Sequence, residues 1–341
     1  MAVDARKLTT IAAGLVAAGA AYWALRRSRR RPSFHNQVVL ITGGSRGLGL
    51  ELARCWGRDG ARVVICARTP VDIRRAVDEL REQGFDAYGF ECDVTSQKQV
   101  EELIDTIVDR WGAINVLVNN AGIIQVGPEE CMKLKDYRQS LDTHLWGPLY
   151  AIKAALPHMR RQGSGRIVNI ASIGGEISVP HLVPYSAGKF ALVGLSEGLC
   201  AELARDGIYV TTVCPGLMRT GSPRNADFKG QHRKEYAWFS IGAGMPLLSI
   251  SSRRAAERIV RACRLGRPYL AVSWPSYAAV RVRALSPAMF VRLMRLVNLF
   301  LPAPGGVGKT TKKGEQSFSA WSPSAMTILN ERAAVRNNEM R

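Results

Sequence analysis

Three residues in the middle of the chain, Ser172, Tyr185 and Lys189, have the types and spacing needed for proton transfer. Ser172 follows a short apolar, β-branched run at residues 166–171, which is typical of a buried parallel strand. Tyr185 and Lys189 lie four positions apart in a run with helical spacing, so they share one helix face. An ammonium beside a phenol favours the phenolate and lowers the phenol's pKa from about 10. We therefore expect Tyr185 to exchange a proton with a carbonyl or alcohol oxygen that Ser172 hydrogen-bonds.

Tyr185 and Lys189 alone are weak evidence, because two residue types at one spacing recur by chance and usually form an exposed helix pair. The interpretation depends on the strand end that must carry Ser172. In an open α/β sheet, ligands bind at the carboxyl ends of the strands. A glycine-rich turn earlier in the chain predicts a ligand at that same edge.

This turn lies between a buried strand at residues 37–41 and an amphipathic helix at residues 50–58. Its glycines allow a tight turn and a close approach of the helix N-terminus to a pyrophosphate, although their spacing differs from Gly-x-Gly-x-x-Gly. The candidate cofactor-binding residues here are Gly43, Ser45, Arg46, Gly47, Leu48 and Gly49.

The second strand, at residues 62–67, predicts the choice of cofactor. An acidic residue at its end would bind the adenosine ribose and select NAD. Here the strand ends at Cys66 and Ala67, and the cationic Arg68 follows. We expect Arg46 and Arg68 to bind a 2′-phosphate, so the predicted cofactor is NADP(H).

Two further strand ends supply candidate cofactor contacts. The third strand, at residues 85–90, leads to Asp93 and Val94, which we expect near the adenine. The fourth, at residues 114–118, leads to Asn119, for which we predict a bracing role in the sheet. The next three residues are predicted to contact the cofactor: Asn120, Ala121 and Gly122.

Net charge bears on possible partners. The formal net charge is +19, but residues 1–34 hold seven Lys/Arg and one acid, and residues 253–295 hold ten and one. The body between them is nearly neutral. Basic charge beside apolar helices favours anionic lipid over nucleic acid. No zinc-ligand spacing or nucleic-acid-binding motif is present in the sequence, so we expect no bound metal and no nucleic acid.

An uncharged N-terminal stretch, residues 8–25, is about long enough to cross a bilayer as a helix. Five arginines follow it within residues 26–31. The positive-inside rule then predicts a single-pass anchor with the catalytic body on the cytoplasmic face of the membrane. A cleaved signal peptide is the alternative, which the small residues at 18–21 favour and the basic block opposes.

The C-terminal third holds three segments of interest. Residues 221–250 combine basic and aromatic residues, which suits either a mobile lid over a lipophilic substrate or an ordinary helical hairpin. Residues 287–301 have the pattern of an interfacial membrane helix, although such a face could also pack on the core or on a partner subunit. Residues 303–341 are polar and predict a loosely ordered tail.

Five motifs, in order, make the chain resemble the short-chain dehydrogenase/reductase family across residues 36–272. They are Thr42-Gly-x-x-x-Gly-x-Gly49, Asn119-Asn-Ala-Gly122, Ser172, Tyr185-x-x-x-Lys189 and Pro215-Gly216. The resemblance implies a single Rossmann domain with a seven-stranded parallel sheet, NAD(P)-dependent carbonyl or alcohol redox, and a homo-oligomer. It also implies that Lys189 binds the nicotinamide ribose, and that Pro215, Gly216, Leu217 and Thr220 lie beside the nicotinamide.

His144 departs from the family pattern, which has asparagine at this position to hold a proton-relaying water. Histidine can hydrogen-bond a water as well, but it titrates near neutrality. His144 is therefore either a fourth catalytic residue in the relay or a structurally satisfied histidine.

The sequence thus predicts an α/β protein with one doubly wound parallel sheet, an N-terminal hydrophobic helix and a C-terminal helical extension. The predicted boundaries are an anchor at 1–34, an NADP-binding Rossmann domain at 35–275, an amphipathic extension at 276–302 and a polar tail at 303–341. The predicted function is NADP-dependent interconversion of a lipophilic ketone and a secondary alcohol. The alternative is an NADP-binding sensor or scaffold without catalysis.

Overall fold

Seven parallel strands form one central sheet in the order β11-β7-β6-β4-β1-β2-β3. The computed structural model describes residues 33–324 and 327–340. The strands are β1 (Val38–Thr42), β2 (Arg62–Ala67), β3 (Ala87–Glu91), β4 (Val116–Asn119), β5 (Gln125–Val126), β6 (Gly165–Ile170), β7 (Ile208–Cys214), β8 (Met218–Arg219), β9 (Asp227–Phe228), β10 (Ile250–Ser251), β11 (Tyr269–Ala271) and β12 (Lys312–Lys313). The predicted seven-stranded α/β architecture is confirmed.

Helices cover both faces of the sheet, as short crossovers between parallel strands require. The helices are α1 (Gly47–Arg58), α2 (Pro70–Glu82), α3 (Gln97–Trp111), α4 (Leu134–Leu141), α5 (Gly147–Arg161), α6 (Val183–Glu202), α7 (Ser222–Asn225), α8 (His232–Gly244), α9 (Ser252–Arg264), α10 (Trp274–Leu285), α11 (Pro287–Asn298) and α12 (Ile328–Arg336).

The core lies in two layers, one on each side of the sheet. On one side, apolar residues of α1, α2 and α9 pack around Trp56, which is fully buried. On the other, residues of α3 and α5 pack against the opposite faces of the same strands. The strands read as nearly continuous apolar runs because both of their faces are buried. This rigid sheet fixes the positions of the loops at its carboxyl edge.

The described residues of segment 303–341 do not form the loosely ordered tail that their polar composition predicts. Within the described part, β12 pairs antiparallel with β9, and α12 packs against the body, with Ala334 fully buried. Specific polar contacts, rather than an apolar stripe, attach this segment to the body. For example, Arg224 pairs with Glu331 at 2.8 Å, and the Asn330 amide donates to the Ser240 carbonyl oxygen at 2.9 Å.

Helices α10 and α11 form a hairpin with exposed apolar residues. Leu285, Leu299 and Phe300 are 87%, 77% and 89% exposed. Phe290 is buried, but most of the apolar residues of 287–301 are exposed, so the structure does not support packing of this whole face on the core.

The predicted membrane anchor at residues 8–25 lies outside the described residues. Among residues 33–324 and 327–340, none of the helices is both long enough and apolar enough to cross a membrane.

Candidate active site

Ser172, Tyr185 and Lys189 come together at the carboxyl edge of the sheet, as predicted from their spacing. Ser172 follows β6 and its Oγ accepts a hydrogen bond from the Gly174 N–H at 3.0 Å. A Cβ at Gly174 would lie 3.0 Å from the Tyr185 ring and 3.5 Å from Ser172 Oγ, so the two side chains lie next to each other. Lys189 Nζ lies 5.9 Å from the centre of the Tyr185 ring and donates to the Ile170 carbonyl oxygen at 2.8 Å.

The turn after Ser172 allows this close approach only because it contains two glycines. A Cβ at Gly174 would lie 3.0 Å from the Tyr185 ring, and one at Gly175 would lie 2.6 Å from the Lys189 carbonyl oxygen. Side chains here would push α6 away from the sheet and separate Tyr185 from Ser172. The glycines therefore help to position the proposed proton donor.

The ionisation of the pair differs from the sequence-based expectation. Burial raises the pKa of Tyr185 to about 12, although the Ser172 hydrogen bond opposes this effect. Burial also lowers the pKa of Lys189 to about 7, so the ammonium is less available to stabilise a phenolate than its sequence spacing indicates. In this arrangement Tyr185 is a protonated phenol, which suits proton donation to a carbonyl oxygen.

His144 is fully buried in a π-helical turn, Asp142–Trp146, between α4 and α5. Its Nε2 accepts from the Ile123 N–H at 3.2 Å, and its Nδ1 lies 3.2 Å from Ser140 Oγ. Burial, and then the nearby Lys189, hold the pKa of His144 well below its usual value. The imidazole is therefore neutral, and its ring packs edge-on against Tyr185 with centroids 5.4 Å apart.

The glycine turn and the loop after β4 form one cradle at the same edge. Thr42 Oγ1 accepts from the N–H groups of Asn120 and Ala121 at 3.0 and 3.1 Å. The Asn120 side chain donates to the Thr42 carbonyl oxygen at 2.9 Å. Gly43 has a φ of +63°, and a Cβ there would lie 2.9 Å from the Ala121 Cα, so only glycine fits. The glycine turn and the loop after β4 therefore lie next to each other at the carboxyl edge of the sheet.

Asn119 has the bracing position predicted for it. Its side-chain amide donates to Asn169 Oδ1 at 2.8 Å, and Asn169 in turn donates to Ser196 Oγ at 3.0 Å. Thr212 Oγ1 also donates to Ser196 Oγ, at 2.7 Å. This buried chain ties β4, β6 and β7 to α6, the helix that carries Tyr185.

The remaining predicted cofactor residues line the same edge with separate contacts. Asp93 Oδ1 caps the loop after β3 by accepting from the Thr95 N–H at 3.0 Å, and the Val94 carbonyl lies against Gly147. Arg68 is exposed after β2, whereas Arg46 donates to Asn225 Oδ1 at 3.0 Å. In the loop after β7, the carbonyl oxygens of Pro215 and Leu217 accept from the N–H groups of Ile173 and Ile250 respectively. Thr220 Oγ1 donates to Ser222 Oγ, and Gly216 lies against Ser276.

Glu339 lies between the glycine turn and this loop, and no sequence pattern predicts this position. Its Oε2 accepts from the Gly221 N–H at 2.6 Å, and its Oε1 would lie 3.2 Å from a Cβ at Gly47, the first residue of α1. This carboxyl group lies beside the first residue of α1, the place where such a turn binds a phosphate anion. The cradle therefore fits the pyrophosphate of a dinucleotide.

A second buried contact that the sequence did not reveal joins the catalytic segment to α8. His181 Nδ1 lies 2.8 Å from Glu235 Oε1, and Trp238 Nε1 donates to Glu235 Oε2 at 2.7 Å. Glu235 is fully buried. Aromatic residues of the same region, Phe228, Tyr236 and Phe239, form a cluster against which Tyr185 packs.

Comparisons with known proteins agree with this geometry. The family model for short chain dehydrogenases matches residues 37–229. A putative ketoacyl reductase of Streptomyces coelicolor is 38% identical over 255 residues, which cover 74% of this chain and 95% of that protein. A variant of the actinorhodin polyketide ketoreductase, solved with NADPH, is 36% identical with a TM-score of 0.63, over 70% of this chain and 95% of that one. A gluconate 5-dehydrogenase of Burkholderia cenocepacia, solved with NADP and tartrate, is 29% identical with a TM-score of 0.64, over 73% and 98%.

Proposed function

The chain belongs to the short-chain dehydrogenase/reductase family, and on this premise we propose that it reduces a lipophilic ketone to a secondary alcohol with NADPH. It is an oxidoreductase that acts on carbonyl or hydroxyl groups with a nicotinamide cofactor. The observation that carries the proposal is the contact of Ser172, Tyr185 and Lys189 at the edge that also holds the glycine turn.

The residues have distinct roles in this reaction. A bound reduced nicotinamide supplies the hydride to the carbonyl carbon. Tyr185 donates its proton to the carbonyl oxygen, and Ser172 hydrogen-bonds that oxygen as negative charge develops on it. Lys189 binds the ribose beside them and returns a proton to Tyr185. With its pKa raised to about 12, Tyr185 carries the proton that this donation uses.

Preference for NADP(H) is supported by the end of β2, where no carboxylate is present to bind a ribose hydroxyl and Arg68 is exposed. The solved relatives with NADPH and NADP are in line with it. We expect catalytic efficiency with NADPH to exceed that with NADH by at least about tenfold. Equal efficiencies would contradict the assignment, and Arg68→Ala should narrow the difference.

A lipophilic substrate is supported by the surroundings of Tyr185. Leu182, Phe228 and Phe239 pack beside it, so a bulky apolar group has matching partners there. A panel of ketones of rising chain length tests this, with kcat/KM expected to rise with length. Faster turnover of small polar ketones would contradict it.

The second candidate function, NADP sensing without catalysis, rests on His144 in place of the family asparagine. A fluorescence titration with NADPH, followed by the ketone panel, separates the two. Binding without turnover of any member would favour the sensor.

Association with an anionic membrane is supported by the hairpin of α10 and α11. Residues 258–314 contain no acid, and Arg281, Arg292 and Arg295 lie among the exposed apolar residues. Apolar surface ringed by arginines fits an anionic bilayer surface. Phe300→Ser should weaken sedimentation with phosphatidylglycerol vesicles, whereas Leu134→Ser, at an equally exposed position elsewhere, should not. The predicted anchor at residues 8–25 and the predicted homo-oligomer stay predictions, which carbonate extraction and light scattering respectively would test.

A further inference from the structure

We infer that residues 337–340, here named the strap, compete with the phosphates of the dinucleotide for the glycine turn. The inference rests on the proposed cofactor site and concerns how access to it is controlled. It would make the empty and cofactor-bound forms differ by the displacement of the strap.

The strap contacts the backbone of the glycine turn directly. The Gly47 N–H donates to the Asn337 carbonyl oxygen at 2.9 Å. The Asn338 side chain donates to the carbonyl oxygens of Ser45 and Asp72 at 2.9 and 3.1 Å. A first-turn N–H of α1, which would otherwise be free to bind phosphate, is thus already occupied.

Glu339 places a carboxylate in the same space. Glu339 is 7% exposed, accepts from the Gly221 N–H and lies beside Gly47, the first residue of α1. The groups that face it are the Gly221 N–H, the first turn of α1 and the guanidinium of Arg46. The docked Glu339 side chain lies beside the first residue of α1, where a bound phosphate would lie, so the two exclude each other by occupying the same space.

The base of the strap is firmly anchored, which keeps Glu339 close to its site. Arg54 donates to the Asn337 side chain at 2.9 Å and to the Arg336 carbonyl oxygen at 2.7 Å. Asn337 also donates to Ser252 Oγ at 3.1 Å, and Arg336 pairs with Glu51 at 3.0 Å. A tethered ligand competes at a high effective concentration, so a single carboxylate can oppose a dinucleotide that forms many more contacts.

The test compares NADPH binding by the full chain and by Glu339→Ala, measured by nicotinamide fluorescence. Glu315→Ala is the matched control, because it removes the same charge from an exposed position. Removing the competitor should tighten binding by about tenfold, within the usual range of intramolecular coupling. The control should bind as the unchanged chain does.

A second measurement uses the unchanged chain, so it does not depend on a variant that folds. Hydrogen exchange of the strap, residues 337–340, should become faster when NADPH is added, whereas exchange of the glycine turn should become slower. Equal affinities for all three proteins, weaker binding by Glu339→Ala, or slower exchange of the strap on NADPH addition would each overturn the inference and leave the proposed function in place. Failure of all three proteins to bind NADPH would instead refute the proposed cofactor, and the strap's role with it.

Discussion

Removal of the buried carboxylate of Glu235 should show most clearly how a structural contact affects folding stability and how it affects the kinetics. Glu235 has no exposed surface, and it accepts from Trp238 Nε1 at 2.7 Å and contacts His181 Nδ1 at 2.8 Å. A glutamine keeps the shape but offers one acceptor oxygen and a donor amide. The remaining oxygen can still accept from Trp238, but His181 Nδ1 must change from donor to acceptor, and both contacts lose the charge of the carboxylate.

The magnitude follows from these contacts. Hydrogen bonds to a charged group contribute about 1.5–3 kcal/mol and neutral ones about 0.5–1.5, so weakening two of them in Glu235→Gln should lower the free energy of unfolding by about 1–3 kcal/mol. Glu235→Ala leaves both donors unpaired and a cavity, and should cost about 3–5 kcal/mol. Since His181 lies four residues before Tyr185, loosening it should also disturb the substrate side of the site. We expect KM for the ketone to rise more than kcat falls.

Urea unfolding at pH 7, followed by steady-state kinetics, measures both effects. Lys234→Gln is the control, because Lys234 is the exposed neighbour on the same helix and should change stability by less than about 0.5 kcal/mol. If Glu235→Gln and Lys234→Gln unfold at the same urea concentration with the same slope, the buried contact does not hold α8 against the catalytic segment.

Three other predictions concern ionisable groups. Burial lowers the pKa of Lys189 from 10.5 to about 7, so the fold must carry a disfavoured charge as pH falls through that range. Since one pKa unit is worth about 1.4 kcal/mol, Lys189→Met should stabilise the fold by at most about 5 kcal/mol at pH 7, and by less at pH 10. The same substitution should abolish turnover. A variant that is less stable than the unchanged chain at pH 7 would contradict this prediction. His144→Asn should retain or raise kcat, because His144 is neutral and lies where the family has asparagine; a loss of about a hundredfold or more would show that the imidazole itself is needed. Burial raises the pKa of Glu339 from 4.5 to about 7, so docking of the strap is strongest below 4.5 and weakens as pH rises to 7. The ratio of the NADP⁺ dissociation constants of the unchanged chain and Glu339→Ala should therefore fall between pH 5 and pH 7 and then level off, and a flat ratio would contradict it.

The sheet and the catalytic trio were predictable because local patterns determine them. The run at residues 208–214 is apolar and β-branched, and it forms β7 with those bounds. Tyr185 and Lys189 share a helix face through simple periodicity, and the ordered motifs place Ser172 beside them. The placement of the helices on the sheet then follows from the rules for right-handed crossovers between parallel strands.

The ionisation of Tyr185 could not be predicted in this way. Spacing places Lys189 near the phenol, but it does not report how deeply both groups are buried. Desolvation exceeds the attraction between them, because it acts on each charge separately.

The strap and the Glu235 contact escaped prediction for a different reason. Asn337, Asn338 and Glu339 have no apolar periodicity, and their partners Ser45 and Gly47 lie nearly three hundred residues earlier. A polar sequence with specific long-range partners looks the same as a solvated tail. Glu235 likewise lies among basic and aromatic residues of its helix, and no local sequence pattern predicts that it is buried.

The most direct test of the proposed chemistry is Tyr185→Phe, with NADPH binding and ketone reduction measured on the same preparation. The phenylalanine keeps the ring against His144 and the aromatic cluster but removes the proton that the carbonyl oxygen needs. We predict a fall in kcat of about a hundredfold to ten-thousandfold, the range expected for a general acid that is lost, with the dissociation constant for NADPH changed by less than about threefold. Turnover within tenfold of the unchanged chain would contradict the assignment of Tyr185 as the proton donor.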